Sequence, residues 1–466
     1  MMKSYYVDTH CHLWHLEFYD DLKEILNDCQ DNNVRYLINV GVDSQSSLQA
    51  VSQAKRYKNV YAAVGHHPHY ALSFKDCDLL LFEKLVKRRK VVAIGEIGLD
   101  FYRKISNRKS QILLLDKMLD FWKKHRDLAI IIHNRNADRE ILDLLDSISD
   151  LNPKVVMHCY SSQDENFWKE CLRRGYFISF ATNLTYSKQL QEIARRTPLE
   201  KIFLETDAPY LPPAGKRGER NLPYYVKESY RVLAELKHLP SEDIIRSVAF
   251  NTRLVFGIGD IPTTPAVVYK YNNSLYINIS NQCTNKCQFC TARLSDYFAG
   301  YNLRLNTEPT VAEIVKAVAN YRDEKEVAFC GYGEPFTKYL LLIKSAQILK
   351  SRGYKIRVVT NGHANLIMGK NVLPELKGLI DKISVSFHVE DEEKYNRICQ
   401  PQFGEQTFSK IKEFVFEAKK YIPWVEITFL TLPGLDIQKC KQLAQELGVN
   451  FRLREYNYCP QFQDER

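Results

Sequence analysis

At 466 residues the chain is too long for one ordinary hydrophobic core, and its 45% hydrophobic and 26% charged residues are those of a soluble globular protein, so two domains are predicted. No apolar run approaches the length of a membrane span, which excludes a helical membrane protein. An excess of 65 Lys and Arg over 56 Asp and Glu gives a formal charge of +9, which favours a polyanionic partner but does not by itself identify nucleic acid.

The first residues and the cysteines together predict a cellular compartment. Met1–Tyr6 leads directly into the motif at Asp8–His12 without a signal peptide, which predicts a cytoplasmic protein. Thiols stay reduced in the cytoplasm, so clusters among the twelve cysteines indicate metal binding or catalysis rather than disulfide bonds.

Residues 5 to 256 alternate short β-branched runs with helix-length segments such as Ser44–Tyr57, Asn107–His125 and Glu165–Arg174. Eight strands, each followed by a helix, predict a TIM barrel, and we assign residues 1–260 to this domain. The predicted strands are Tyr5–Cys11, Arg35–Gly41, Val60–Gly65, Val91–Gly95, Ala129–His133, Lys154–Cys159, Phe177–Phe180 and Ile202–Thr206.

Six metal-capable side chains lie at the carboxyl ends of five of these strands. The first two lie two positions apart on one strand, so they emerge on the same face. Each of the others follows a later strand at its carboxyl end, where the catalytic face of such a barrel lies. Buried imidazoles and carboxylates there are costly unless they bind a ligand. The set is His10, His12, Glu96, His133, His158 and Asp207.

Four imidazoles and two carboxylates suit two divalent ions, and the ion is Zn, Mn or Mg. Glu96 is suited to bridge the two ions because a carboxylate offers two oxygens. Asp207 is suited to bind a metal and to accept a proton from the attacking water. The pattern therefore predicts metal-assisted hydrolysis with Glu96 and Asp207 as catalytic residues.

The motifs DTHCHL, HHPH, GEIGLDF, IIHNR, MHCYS and LETDAPYL occur in this order over about residues 5 to 256, and they resemble the TatD family of metal-dependent deoxyribonucleases. The resemblance implies an amidohydrolase-type TIM barrel that hydrolyses phosphodiesters in DNA. It implies His67 and Arg135 as residues that orient a phosphate, and a stacking or capping role in the loop stays open for His67. It also implies two metal sites, one formed by His10, His12, Glu96 and Asp207 and the other by Glu96, His133 and His158.

One stretch departs from the family pattern. After the last motif the family usually has Lys or Arg followed by Asn-Glu-Pro, whereas this chain reads GKRGERNLPYY over Gly215–Tyr225. The stretch contains an insertion, and Leu222 stands in place of the Glu. Because the loop borders the predicted active face, the departure concerns substrate choice rather than metal binding.

A second strand–helix alternation follows a segment rich in Pro, Gly, Thr and Asn. We predict a linker over residues 261–274 that ends in a hairpin turn at Asn272-Asn273. Helices are predicted at Thr310–Tyr321, Tyr339–Ser351, Phe408–Ala418 and Ile437–Leu447. Six strand–helix units within residues 275–466 predict a partial (β/α)6 barrel, and the whole chain is of the α/β class. The strands are predicted at Leu275–Ser280, Val327–Gly331, Ile356–Thr360, Ile383–Phe387, Glu426–Thr431 and Asn450–Glu455.

Three cysteines, Cys283, Cys287 and Cys290, directly follow the first strand of this second alternation. Three thiolates can hold three irons of a [4Fe–4S] cluster and leave the fourth iron open to another ligand. The alternative is a structural zinc site completed by one distant cysteine. Its candidates are Cys330, Cys399, Cys440 and Cys459.

The C-x-x-x-C-x-x-C spacing, with Phe289 before the last cysteine and GYGEP at Gly331–Pro335, resembles the radical S-adenosylmethionine (SAM) superfamily over about residues 275 to 455. The resemblance implies a [4Fe–4S] cluster and SAM, and Phe289 is expected to shield the cluster. The residues Gly331, Gly333 and Glu334 are implied as contacts of the SAM amino group. The ribose and carboxylate contacts are expected at Thr360, Asn361 and Ser386.

These features predict a bifunctional enzyme that resembles the TatD-associated radical SAM proteins. The substrate is expected to be DNA or nucleotide-derived, an external one-electron reductant is required, and no membrane is involved. The substrate of the radical half is left open. Two alternatives remain: an amide- or ester-hydrolysing barrel whose radical partner modifies a related small molecule, and an iron–sulfur module that gates the nuclease.

Overall fold

The computed structural model describes residues 5–321 and 323–456, which form two compact units. One unit extends to Ile261 and the other begins at Pro262. Each unit has its own parallel sheet and its own hydrophobic core. Within the described ranges, no helix combines the length and the apolar character that a membrane span requires.

The first sheet contains eight parallel strands in sequence order. Its two ends meet where Asp207 N donates to His10 O at 2.9 Å and His12 N donates to Ala208 O at 2.8 Å. The predicted TIM barrel is therefore confirmed. The strands are β1 (Tyr6–Cys11), β2 (Val34–Val40), β3 (Val60–Val64), β4 (Val91–Asp100), β5 (Ala129–Arg135), β6 (Val155–His158), β7 (Phe177–Phe180) and β8 (Ile202–Leu204).

Nine helices surround this barrel within the described residues, and local sequence explains where they begin. At α2, for example, the Asp43 carboxylate accepts from Ser46 N at 2.7 Å, which is a capping box. The helices are α1 (Leu22–Asp31), α2 (Ser44–Arg56), α3 (Asp76–Leu85), α4 (Arg108–Trp122), α5 (Asp138–Asp146), α6 (Glu165–Arg173), α7 (Lys188–Arg196), α8 (Val226–Lys237) and α9 (Ser241–Phe256).

One strand is longer than its sequence pattern predicts. The expected end of β4 is Gly95, but the strand continues to Asp100 because Ile97–Asp100 pair with β5. Strand β8 is instead shorter than predicted, because it ends at Leu204 rather than at Thr206. Both differences move predicted site residues relative to the strand ends without changing the barrel.

The second sheet contains seven strands in the order β17-β16-β15-β14-β13-β10-β9. Six are parallel, as expected for a partial (β/α)6 barrel, and β9 pairs antiparallel with β10. A separate two-stranded ribbon joins β11 and β12. The strands are β9 (Val268–Tyr271), β10 (Ser274–Ile277), β11 (Tyr297–Phe298), β12 (Tyr301–Asn302), β13 (Glu326–Phe329), β14 (Lys355–Thr360), β15 (Lys382–His388), β16 (Trp424–Leu430) and β17 (Asn450–Arg454).

The hairpin between β9 and β10 turns at Asn272 and Asn273, whose φ angles are +47° and +55°. Asparagine tolerates this left-handed region better than most residues, and two such residues in succession suit the two-residue turn of a β-hairpin. The helices of this unit are α10 (Thr291–Leu294), α11 (Val311–Val318), α12 (Tyr339–Ser351), α13 (Ala364–Met368), α14 (Leu373–Leu376), α15 (Glu392–Cys399), α16 (Thr407–Ala418) and α17 (Ile437–Leu447).

Candidate active sites

The six predicted metal-capable side chains lie together at the carboxyl end of the first barrel, around Glu96. Glu96 is 3% exposed. Its Oε1 lies 2.7 Å from His133 Nδ1 and 3.5 Å from His158 Nε2, and its Oε2 lies 3.5 Å from His10 Nε2. One carboxylate therefore faces three imidazoles from three different strands.

Asp207 forms a second focus on the other side of the same imidazoles. Its Oδ1 lies 3.3 Å from His12 Nε2, 3.7 Å from His158 Nε2 and 3.8 Å from His10 Nε2. The backbone of Asp207 has a φ of +60°, an uncommon conformation for this residue and one that clusters at functional sites. The loop after β8 thus places the carboxylate against the end of β1.

His10 tests whether this cluster fits a metal. The ring is fully buried, and neither nitrogen makes a hydrogen bond to any described residue. It stacks on His158 with ring centres 3.5 Å apart. A buried imidazole without hydrogen bonds is costly, whereas an imidazole facing carboxylates at this distance is a good ligand for a divalent ion. The donor set therefore fits the predicted ions.

The charge state of the carboxylates agrees with such a role. Burial alone would raise the pKa of Glu96, but the surrounding imidazoles, His67 and His158 foremost, hold that pKa well below its ordinary value. Burial likewise opposes ionisation of Asp207, and the contact with His12 lowers its pKa. Both groups are therefore anionic at neutral pH, as metal ligands must be.

Two contacts outside the cluster orient the imidazoles. His12 Nδ1 lies 2.8 Å from Val40 O, and His158 Nδ1 lies 2.8 Å from Glu205 Oε1. In each case the other ring nitrogen, Nε2, points to the cluster, which is how proteins fix the tautomer of a metal-binding histidine. The sequence prediction missed Glu205, although it lies two residues before Asp207 in the same motif.

Asp100 is another carboxylate that the prediction missed. Its Oδ2 lies 2.8 Å from His69 Nε2 and 3.4 Å from His133 Nε2. Burial would raise its pKa, but hydrogen bonds from His133, His69 and the backbone N–H of Arg103 lower it. The signal was available in GEIGLDF, where Asp100 follows Glu96 by four residues along the extended β4.

The predicted phosphate-orienting residues lie in different surroundings. His67 Nδ1 accepts from His69 N at 3.1 Å, so the neutral ring carries its proton on Nε2, which lies 3.4 Å from Glu96 Oε1. The capping role that the sequence left open is thus present alongside the approach to Glu96. Arg135 stacks on Tyr102, with its guanidinium carbon 4.3 Å from the ring centre.

The divergent loop Gly215–Tyr225 is attached to this site through one buried amide. Asn221 Nδ2 donates to Thr206 O and to Thr182 Oγ1, each at 2.9 Å. Arg220 pairs with Asp21 at 2.5 Å. The two residues that precede the unusual Leu222 therefore attach the loop to the barrel, and Asn221 does so next to Asp207.

In the second unit, the cysteine loop is hydrogen-bonded to the last residues of α15. Lys286 N donates to Cys399 O at 2.9 Å, and Gln288 N donates to Ile398 O at 3.0 Å. Cys287 is buried, Cys290 is half-buried and Cys283 is exposed at the residue level. Burial raises the pKa of the Cys283 thiol to about 12, and the neighbouring Glu334, Cys287 and Cys290 add to that rise.

Cys399, whose backbone carbonyl accepts from the cysteine loop, also neighbours Cys287, and its thiol and burial together raise the pKa of Cys287. A tetrahedral zinc would hold its sulfurs roughly 3.8 Å apart, given Zn–S bonds of about 2.3 Å. Among the described residues, no three cysteine sulfurs lie within 4.8 Å of one another. The described cysteines therefore do not form a ready-made zinc site. Cys459, another candidate zinc ligand, lies outside the described residues.

The GYGEP segment packs directly on the cysteine loop. A Cβ at Gly333 would lie 2.5 Å from the carbonyl oxygens of Ser280 and Gln282, so this approach requires glycine. Glu334 N donates to Gln282 O at 2.7 Å. A Cβ at Gly331 would lie 2.0 Å from Asn278 Oδ1. Both glycines are therefore required by close packing of the chain on itself, which holds GYGEP against the end of β10 and the cysteine loop.

The remaining predicted SAM contacts surround Glu334. Its carboxylate accepts from Thr360 Oγ1 at 2.8 Å and from Asn361 N at 2.7 Å. Asn361 Nδ2 in turn donates to Thr284 Oγ1 in the cysteine loop at 2.9 Å. Ser386 lies on the neighbouring β15, where it accepts from Thr428 Oγ1 at 3.4 Å. The structure thus brings Glu334, Thr360 and Asn361 into one hydrogen-bonded group.

Each half of the chain matches a known protein family. Residues 7–257 match the model of the TatD-related DNases, and residues 277–447 match that of the radical SAM superfamily. The uncharacterized metal-dependent hydrolase YabD of Bacillus subtilis (strain 168) is 32% identical over 253 residues, which cover 54% of this chain and 98% of the relative. The uncharacterized metal-dependent hydrolase YjjV of Escherichia coli (strain K12) is 30% identical over 260 residues, which cover 54% and 98%.

The solved structure of YJJV, a TatD homolog from Escherichia coli K12, superposes with a TM-score of 0.52 and 29% identity. The superposition covers 55% of this chain and 98% of that one. The hydrolase match spans more than half of the present chain, and the barrel places the ligand-capable residues at its carboxyl end. The protein therefore belongs to the TatD-related DNase family, and it carries a radical SAM domain after the hydrolase barrel.

Proposed function

We propose that the first barrel hydrolyses phosphodiester bonds in DNA, using two divalent ions held by the six residues around Glu96. The observation that carries this proposal is the convergence of those residues on two carboxylates, with His10 buried and without a hydrogen bond among the described residues. One ion is assigned to His10, His12, Glu96 and Asp207, and the other to Glu96, His133 and His158.

The position of each residue in the cluster suggests its role in hydrolysis. When bound, the two ions supply an activated water and stabilise negative charge on the attacked oxygen. The Glu96 carboxylate lies between the imidazoles of both sets and is placed to join them. Asp207 is anionic and lies at the cluster edge, so its carboxylate accepts the proton of the attacking water. His67 presents an Nε2 proton towards the cluster, which suits a phosphate oxygen.

For the second unit we propose a [4Fe–4S] cluster on Cys283, Cys287 and Cys290, with SAM bound against GYGEP. A cluster held by these thiolates would pass one electron from an external reductant to SAM and so supply the reductive cleavage of its sulfonium C–S bond. GYGEP, which packs on the cysteine loop through Gly333 and Glu334 N, is proposed to receive the methionine end. Phe289 is 6% exposed and lies among the apolar core, where it shields the cluster from water.

The proposed radical chemistry sets requirements for a reductant and for the cellular compartment. The proposal requires an external one-electron reductant and a reducing compartment, which we take to be the cytoplasm. None of the cysteines in the described ranges forms a disulfide. The substrate of the hydrolase half is proposed to be DNA or a nucleotide-derived compound.

Metal analysis of anaerobically purified protein is the first test. We expect about four irons with matching sulfide, and about two further divalent ions, per chain. Incubation with single-stranded DNA is expected to release nucleotides, and incubation with reductant and SAM is expected to release 5′-deoxyadenosine. Zinc without iron or sulfide, even after anaerobic reconstitution, would refute the radical proposal.

Two variants separate the halves. Glu96→Gln is expected to abolish DNA hydrolysis and to leave 5′-deoxyadenosine formation intact, while Cys287→Ser is expected to do the reverse. Parallel assays with small amides and lactones test the amidohydrolase alternative, which hydrolysis of those compounds without hydrolysis of DNA would establish. If loss of the cluster in Cys287→Ser also stops DNA hydrolysis, the iron–sulfur module gates the nuclease instead.

A further inference from the structure

The two faces of the second sheet differ in chemistry. On β15 and β16, Ile383, Val385 and Ile427 belong to the apolar core that the helices cover. Their neighbours in sequence point to the opposite face, because side chains alternate along a strand. That opposite face, the inner face of the partial barrel, is polar and buried. Its buried residues on β14, β15 and β16 include Arg357, Ser384, Ser386, Glu426 and Thr428.

Arg357 is the most unusual of these residues because it is charged and 5% exposed. Its Nε lies 3.3 Å from Glu326 Oε1 but makes no hydrogen bond, and its Nη2 has no hydrogen-bond partner among the described residues. The guanidinium carbon lies 5.6 Å from the ring centre of Tyr276. In register, Ala328 stands between Tyr276 and Arg357, and its small side chain leaves room above the sheet.

Arg454 approaches the same place from the other end of the sheet. Its Nε is buried and without a hydrogen-bond partner in the described ranges, where Arg454 also forms no ion pair. Its charge acts on Cys330, as does that of Arg357. Burial lowers the pKa of Arg454, and Tyr276 is among the neighbours that counter this shift. The charges of both guanidinium groups therefore reach Cys330, and Arg357 lies against the ring of Tyr276.

The carboxylates on this face do not satisfy the two arginines. Glu426 is engaged with Lys382 at 3.0 Å and with Ser384 at 2.5 Å, and Arg452 lies 3.7 Å away. Glu326, beside Arg357, has a side chain that is 46% exposed. Buried guanidinium groups with unused N–H donors are costly to maintain unless an anion completes them.

His388 connects this face to the cysteine loop. Its ring lies 4.8 Å from that of Phe289, next to Cys290, and its Nδ1 is buried without a hydrogen-bond partner among the described residues. Burial lowers the pKa of His388 to about 3, and the nearby Arg454 adds to that shift, so the ring is neutral. A ligand on the inner face would therefore extend from the arginines towards the proposed cluster.

We propose that Arg357 and Arg454 bind an anionic group, a phosphate or a carboxylate, of the molecule on which the radical domain acts. This inference rests on the proposed SAM chemistry of that domain. The planar fork of arginine suits both anions, and the buried donors without a hydrogen-bond partner among the described residues, Nε and Nη2 of Arg357 and Nε of Arg454, are available to one. The neutral edge of His388 and the stacked rings of Tyr269 and Tyr276, 5.2 Å apart, provide the uncharged surface around it.

The test measures binding of inorganic phosphate by calorimetry. The anaerobically reconstituted full chain is used with SAM present, in a Glu96→Gln, His67→Gln, Arg135→Gln background, which removes the side chains proposed to hold a phosphate or join the ions at the hydrolase site. We expect Arg357→Gln and Arg454→Gln each to raise the phosphate Kd about 10- to 100-fold. Arg452→Gln is the matched control, because Arg452 lies on the same strand with a side chain that is 45% exposed, and it is expected to leave the Kd nearly unchanged. Acetate in a parallel titration distinguishes a carboxylate site from a phosphate site.

Further measurements distinguish failure of this inference from failure of the proposed radical chemistry. Iron content, SAM affinity and substrate-free formation of 5′-deoxyadenosine are expected to match the parent protein in both glutamine variants. If the parent contains no cluster or forms no 5′-deoxyadenosine, the radical proposal fails whatever the phosphate result. If the glutamine variants lose iron through misfolding, Arg357→Lys and Arg454→Lys keep the charge, and we expect a several-fold rise in Kd through loss of the fork.

Three results would overturn the inference. The first is a parent protein that binds neither phosphate nor acetate at millimolar concentration. The second is binding that is equal in the parent and in both arginine variants. The third is a loss of SAM affinity in Arg357→Gln or Arg454→Gln with phosphate binding unchanged, which would show that the arginines hold the carboxylate of SAM instead.

Discussion

The Glu205 carboxylate, which lies behind the metal-capable residues, makes the sharpest prediction about the hydrolase site. It accepts hydrogen bonds from Cys159 N at 2.7 Å and from Ser179 Oγ at 2.6 Å, and its Oε1 lies 2.8 Å from His158 Nδ1. Burial would raise the pKa of Glu205, but His158 outweighs that effect and lowers it. The group is therefore an anion that orients His158 and increases its basicity as a ligand.

Glu205→Gln removes the charge and preserves the shape. The amide oxygen, in place of Oε1, still accepts from His158 and Cys159, and the amide nitrogen, in place of Oε2, donates to Ser179 once that hydroxyl rotates. Loss of such a supporting carboxylate typically reduces metal affinity about 10- to 100-fold, or about 1.4 to 2.7 kcal/mol. We expect one of the two ions, the one that His158 holds, to bind this much more weakly.

Chelator competition with zinc and with manganese measures the affinity for each ion, and DNA hydrolysis follows in parallel. Ser179→Ala is the control, because it removes one donor from Oε2 and leaves the contact with His158 in place. Glu205→Ala removes the acceptor of Cys159 N and Ser179 Oγ and the carboxylate that faces His158, so we expect it to lower the free energy of unfolding by about 3 kcal/mol. If Glu205→Gln binds both ions and hydrolyses DNA like the wild type, Glu205 does not support a metal ligand.

Three further predictions concern metal removal, backbone contact and pH. Chelation is expected to destabilise the wild-type barrel by about 4 kcal/mol relative to protein with free metal a thousandfold above its Kd, and His10→Leu is expected to remove that difference in thermal unfolding. Gly333→Ala places a Cβ 2.5 Å from Gln282 O, so we expect lower iron content and loss of SAM binding in an anaerobic titration. Burial raises the pKa of Glu334 from 4.5 to about 7, so its stabilising contribution is present below pH 4.5 and is lost as the pH rises through 7. We expect a loss of about 3 kcal/mol across that window in urea unfolding, and its absence in Glu334→Gln.

Each of these has its own control or contradiction. Gly404→Ala has open space for a Cβ but a φ of +82°, so we expect it to cost about 1 kcal/mol and to retain iron and SAM binding. Equal SAM affinity in Gly333→Ala and Gly404→Ala would contradict the contact argument. A chelator effect that persists in His10→Leu would place the stabilising ion elsewhere. A Glu334→Gln variant with the wild-type pH profile would assign the slope to another group.

Much of the fold follows from local pattern. Alternating β-branched runs and helix-length spacers predicted both parallel sheets, and the comparison with the structure confirms the α/β class and the two barrels. Pairing with a neighbour changed the strand ends, as at β4, where Ile97–Asp100 continue the ladder with β5. Such ends depend on register between strands that are distant in sequence, and no local pattern encodes that register.

The site residues show the same division. His10 and His12 were recognisable because two donors at a spacing of two share one strand face, and Cys283, Cys287 and Cys290 because three thiols stand within eight positions. Their roles as ligands stay predictions. What the sequence alone did not indicate is the support of His158 by Glu205, which joins the ends of β6 and β8.

The sequence by itself determined which donors are available and that they follow strands, because spacing and periodicity are properties of the chain. The tertiary structure decided which groups meet: Cys399 beside Cys287, and Arg357 with Arg454 near Cys330. Arg357 and Arg454 are 97 positions apart and resemble ordinary strand arginines in the sequence. Only the curvature and register of the parallel sheet bury their guanidinium groups at one place, because burial and charge pairing arise from neighbours that the chain brings together when it folds.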